Sequence, residues 1–201
     1  RLLGAAAIGG LLLSQGSMAF AHRFEHPKSL RLGLRADRLV LAISVDVDPG
    51  RESGRTRAFF DRDGDGQLDA AEQALLLDGL ERAAWTRLRI HLDDREISWA
   101  PVTRSGHRLG SKTEDTRALG ATFMYTAPLP EAWARVELQV QDRDKRRDVH
   151  VPLVLDLPDV GWVEFASQGE WDSGSRNLRS VRLGPERPLE LRIRRGARGP
   201  G

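Results

Sequence analysis

Along most of its length this chain alternates apolar and polar residues in short runs, and that period commits it to strands half-buried on one face. Leu30, Leu32 and Leu34 share one face of the run 30–35. Leu39, Leu41, Ile43, Val45 and Val47 share one face of the run 38–48, which Pro49-Gly50 ends. Similar runs predict strands at 88–92 and 96–102 around an Asp93-Asp94 turn, then at 119–127, 134–141, 149–157, 161–167, 178–183 and 189–194. The polar, aperiodic stretch 103–117 reads as a loop. Turn signals this frequent predict a mainly β chain, a β-sandwich of immunoglobulin-like or similar type spanning 22–194.

One stretch departs from the period. Between 52 and 87 the spacing becomes helical: Ala58, Phe59 and Phe60 close a short helix, and Leu76, Leu80, Ala83 and Ala84 form a stripe on a second. Asp69 followed by Glu72 gives the second helix a capping-box start. A helix–loop–helix is therefore inserted near the beginning of the β domain.

The remaining composition mainly excludes. There are no cysteines, so disulfides, thiolate metal sites and cysteine nucleophiles are ruled out. The 31 basic and 29 acidic residues nearly cancel, and the arginines are interleaved with acids, which argues against a nucleic-acid face. Residues 1–21 run from Arg1 through an apolar stretch to Ala19-Phe20-Ala21, the pattern of a cleaved signal peptide, with an uncleaved anchor over 2–21 as the rival reading. The expected mature chain starts at His22, has no membrane span, and is exported to the periplasm or the extracellular space. Residues 195–201 read as a disordered Gly-, Pro- and Arg-rich tail.

The loop between the two helices carries the chemistry. Residues 61–72 read Asp-Arg-Asp-Gly-Asp-Gly-Gln-Leu-Asp-Ala-Ala-Glu, which resembles the EF-hand family. Calcium takes six to eight oxygens, and Asp61, Asp63 and Asp65 supply carboxylates at alternate positions. Gly66 allows the sharp turn, and Leu68 stands where the family turns an apolar residue inward. The resemblance implies that Gln67 offers its backbone carbonyl, Asp69 acts through a water, and Glu72 closes the shell with both oxygens. Two departures stand out. Gln73 replaces an apolar residue after the closing Glu, which should weaken packing of the exit helix. No second such loop exists, so the site is expected to be unpaired and weak, at about 10⁻⁴–10⁻³ M. Calcium would then act as a structural clamp in a binding or structural module.

Weaker signals are the histidines and tryptophans. His22, once carrying a free α-amine, and nearby His26 make copper or nickel handling the alternative function. Trp85, Trp99, Trp133, Trp162 and Trp171 offer either core filling or a sugar-stacking surface. With no nucleophile elbow, zinc-binding helix or phosphate loop, the chain is not expected to be an enzyme. The layout from residue 21 to 102 (leader, two strands, acidic loop and helix, then a strand) resembles the extracytoplasmic N-terminal region of HupE/UreJ-type bacterial membrane proteins. Those are associated with nickel or cobalt transport. No transport activity follows from the resemblance, because that needs transmembrane helices and no segment of 22–201 is long and apolar enough to be one. The partner, if there is one, is not named by any residue pattern.

Overall fold

The computed structural model describes residues 28–143, 151–157, 161–172 and 177–196. They form twelve strands in two sheets with two α-helices, so the protein is mainly β. The first sheet has the order β10 (Glu170–Asp172), β11 (Asn177–Leu183), β8 (Val151–Asp156), β1 (Lys28–Leu34), β2 (Arg38–Val47), β6 (Leu119–Pro128), β5 (Ala100–His107). The second has the order β4 (Arg95–Glu96), β3 (Leu88–Leu92), β7 (Arg135–Asp142), β12 (Leu189–Arg195), β9 (Gly161–Ala166). Pairing is antiparallel apart from β1 against β8.

Register follows from the alternation. In the β1–β2 hairpin Leu32 faces Leu41 and Leu34 faces Leu39, so both apolar sets fall on one side. All ten residues of β2 pair with β6, from Arg38 with Pro128 to Val47 with Leu119. In the second sheet Val136, Leu138 and Val140 of β7 point inward with Leu191 and Ile193 of β12, while Glu137 and Arg192 face out and pair at 3.2 Å. The inward residues of both sheets join one apolar cluster.

The helices α1 (Arg51–Phe60) and α2 (Ala70–Trp85) lie between β2 and β3 in the chain. The α2 stripe Leu76, Leu80 and Ala84 is fully buried, packing the helix onto β2 and β6. Each leucine stabilises that docking by about 1.5–3 kcal/mol. Polar ties fix both its flank and its end. The Tyr125 hydroxyl of β6 donates to Glu81 at 2.5 Å. The Lys28 ammonium donates to the Thr86 carbonyl at 2.8 Å and pairs with the buried Asp142 carboxylate at 2.5 Å, a cation where the helix dipole favours one.

Four expectations change. Residues 103–107 belong to strand β5, and only 108–117 is loop. The run expected at 96–102 is split between β4 and β5. The three-residue β10 has no counterpart in the predicted strands. Arg195 ends β12 and so does not belong to the tail. The expected signal peptide, the tail from 197 onward, and His22, His26 and His150 lie outside the described residues. Among the described residues no helix is long and apolar enough to cross a membrane.

Candidate metal centre

The acidic loop begins where α1 stops. Asp61 leaves the helix in extended conformation while its N–H still bonds to the Arg57 carbonyl at 3.2 Å. The chain then turns twice through the left-handed region, at Gly64 (φ 73°) and Gly66 (φ 80°), where a side chain would be strained. These turns aim backbone N–H groups at the carboxylates. Asp61 accepts from Gly64 at 2.8 Å and from Gly66 at 3.0 Å, Asp63 accepts from Asp65 at 3.1 Å, and Asp65 accepts from Gln67 at 2.7 Å. Each carboxylate is thereby oriented with oxygen lone pairs to spare.

The result is convergence. One carboxylate oxygen from each of Asp61, Asp63 and Asp65 lies within 4.8 Å of the others, with Asp61 half-buried and the other two exposed. Glu72 lies in the first turn of α2 and is only 6% exposed. Its Oε1 accepts from the Arg62 N–H at 2.6 Å, which ties it to the start of the loop, and its Oε2 accepts from the Asp69 N–H at 3.1 Å. Asp69 accepts in return from the Glu72 N–H at 2.8 Å, completing the predicted capping box. So the structure gathers Asp61, Asp63 and Asp65, ties Glu72 to the Arg62 and Asp69 backbone without bringing it into that group, and uses Asp69 as a helix cap. Gln67 contributes backbone at the far side of the loop, in an isolated β-bridge with Lys112.

The donor set fits a hard cation. It is all oxygen, carries several negative charges at close range, and holds neither His nor Cys to favour a softer metal. Three carboxylates so placed repel one another unless a cation sits among them. Leu68 is 3% exposed and turns into the core as expected. Gln73 does not leave the exit helix loose, since its side-chain amide donates to the Leu68 carbonyl at 3.0 Å and braces the loop from within.

No protein family's model matches the chain, and no curated protein matches it. Among solved structures it is similar to one titled "Structure of native yeast LTA4 hydrolase", at 10% identity and a TM-score of 0.29. That likeness covers 83% of this chain and 28% of the other, so this chain spans under a third of the structure it matches. The expectation that the chain is not an enzyme does not stand, since the matched structure is that of a hydrolase. A likeness this weak assigns no activity either.

Sequence reasoning missed two parts of the centre. The first is Arg57, whose side chain is wholly buried beneath the loop, where burial lowers its pKa and the nearby Asp115 charge partly offsets this. The second is the 108–117 loop, which pairs with residues 66–68: Leu68 N–H donates to the Ser111 carbonyl at 2.9 Å, and Thr113 N–H to the Gly66 carbonyl at 3.1 Å. The acidic loop is therefore paired, contrary to expectation, though with a loop of another kind.

Among the described residues, the tryptophans and His107 have the following surroundings. Trp133 is buried and its indole N–H donates to the Ala36 carbonyl at 3.2 Å. Trp85 packs between Trp99 and Tyr125, with ring centroids 6.3 and 5.0 Å away. Trp162 and Trp171 are half-buried on β9 and β10, in different sheets. His107 shares a hydrogen bond of 3.1 Å with Thr122.

Proposed function

We propose that this chain is an exported calcium-binding protein of the EF-hand kind, in which one calcium ion held by residues 61–72 clamps a helix pair onto a β-sandwich. Asp61, Asp63 and Asp65 supply side-chain oxygens, Gln67 its backbone carbonyl, Asp69 a water-mediated contact and Glu72 the closing carboxylate. The observation that carries this is the convergence of the three aspartate oxygens within 4.8 Å of one another around a left-handed Gly66. Two sheets sharing one apolar cluster support the sandwich.

The clamp acts by linkage. The ion binds the folded loop, relieves the repulsion among its carboxylates and stabilises the fold by mass action. It also fixes how α1 and α2 are set against the sheet, since Asp61 ends one helix and Glu72 begins the other. Export to the periplasm or extracellular space, where calcium is plentiful, suits a weak structural site. The resemblance in layout to the extracytoplasmic region of HupE/UreJ-type proteins supports the same compartment.

Titration calorimetry of the chelator-treated protein tests the assignment. One calcium ion per chain should bind, and Asp61→Ala combined with Glu72→Ala should abolish the heat. Unchanged calcium binding by that double variant would move the site elsewhere.

A further inference from the structure

Arg57 is the largest side chain in the described structure that is wholly shut off from water. It lies one turn before Asp61, and its guanidinium donates to four backbone carbonyls. Nε reaches Leu109 at 2.6 Å, Nη1 reaches Asp115 at 2.5 Å and Arg117 at 3.1 Å, and Nη2 reaches Arg108 at 2.8 Å. All four belong to the loop 108–117. Burying a guanidinium is costly unless its donors are satisfied, so this loop and this arginine hold each other in shape. Gly110, at φ 79°, allows the fit: a Cβ there would stand 3.0 Å from Arg57 Nε.

The opposite side of the loop grips the acidic segment. Ser111, Lys112 and Thr113 lie antiparallel to residues 66–68 through the two backbone bonds given above, and the Thr113 hydroxyl adds a third to the Gly66 carbonyl at 3.2 Å. The loop is also tied to the start of α1, where the Gly50 N–H donates to the Thr116 carbonyl at 2.6 Å. One continuous path therefore runs from α1, through Arg57, across 108–117, and back to Gly66-Gln67-Leu68.

We propose that the 108–117 loop is the built-in pairing partner of the calcium loop, and that Arg57 is the positioning residue that sets the loop's calcium affinity without touching the ion. This rests on the calcium reading of residues 61–72. The Gln67 carbonyl can serve the ion only if the backbone of 66–68 is held in place. A bridge formed before binding removes part of the ordering entropy that a free loop would lose on binding. By reciprocity, calcium must tighten the bridge as much as the bridge favours calcium.

The test uses the full chain, stripped with chelator, with calcium itself as the probe. Thr113→Pro deletes both donors to the Gly66 carbonyl, the N–H and the hydroxyl, at a half-buried position, and Arg57→Lys keeps the charge but cannot reach four carbonyls. Each should bind one calcium ion about five- to tenfold more weakly than the parent, the loss expected for one or two net hydrogen bonds. In the parent, calcium should slow hydrogen exchange at the Leu68 and Thr113 amides. Slow exchange at Leu41 and Phe123 should persist in both variants, which separates loosening of the bridge from loss of the fold. Parent-like affinity in Thr113→Pro, or no calcium effect on the Thr113 amide, overturns the pairing while leaving the calcium site standing. Parent-like affinity in a folded Arg57→Lys overturns the role of Arg57; if that variant does not fold, Thr113→Pro decides. No calcium binding by the parent would remove the calcium reading, and this inference with it.

Discussion

Tyr125 is the chain's single tyrosine, so its ionisation can be followed without ambiguity. It stands on β6 at 4% exposure, packs edge-on against Trp85, and donates its hydroxyl to Glu81 at 2.5 Å. Burial first, then the hydrogen bond to Glu81, push its pKa well above the ordinary value of 10.0. In the unfolded chain the phenol loses its proton near pH 10, while in the folded chain it keeps it. The stability it contributes is therefore full below about pH 10 and is lost as pH rises above that value, with a slope of at most about 1.4 kcal/mol per pH unit. Tyr125→Phe removes the bond outright. A hydrogen bond to a charged group is worth about 1.5–3 kcal/mol, but Glu81 is partly solvated and keeps Arg104 at 3.1 Å, so a loss of about 1 kcal/mol is expected. Denaturant unfolding at pH 7 and at alkaline pH, with the tyrosinate absorbance followed in the native protein, measures both. The Phe variant should be weaker at pH 7 and should lack this part of the alkaline decline. Tyrosinate appearing near pH 10 in the still-folded protein would refute the buried hydrogen bond and its role in holding α2 to the sheet.

Further predictions concern the loop and the core. Gly66→Val places a β-branched side chain at φ 80°, so it should destabilise the fold by about 1–3 kcal/mol and weaken calcium binding in the same calorimetric titration. Asp69→Ala removes the N-cap of α2 and should cost about 1 kcal/mol in chemical denaturation even with calcium absent. Leu32→Ala, at a fully buried position between β2 and β8, should cost about 2–5 kcal/mol without altering calcium stoichiometry.

What was legible in the sequence depended on burial. Strand β2 could be read because Leu39, Leu41, Ile43, Val45 and Val47 all face the core, and α2 because Leu76, Leu80 and Ala84 do. Strand β5 could not be read in full, because all eight of its residues are exposed at a sheet edge and no apolar period marks it. The acidic loop was legible because its aspartates and Glu72 are local in sequence. Its pairing with 111–113 was not, because that contact joins segments more than forty residues apart that share no motif. Arg57 resembled any other arginine on a short helix. Only the tertiary structure puts four carbonyls around it.

The thermal midpoint of the chelator-stripped protein, with and without calcium, tests the proposed clamp. A site with Kd of about 10⁻⁴ M, in about a hundredfold excess of free calcium, adds about 2.7 kcal/mol. For a chain of this size that raises the midpoint by about 5–10 °C, and Asp61→Ala should erase the rise. A midpoint that calcium leaves unchanged in the parent protein would contradict the clamp.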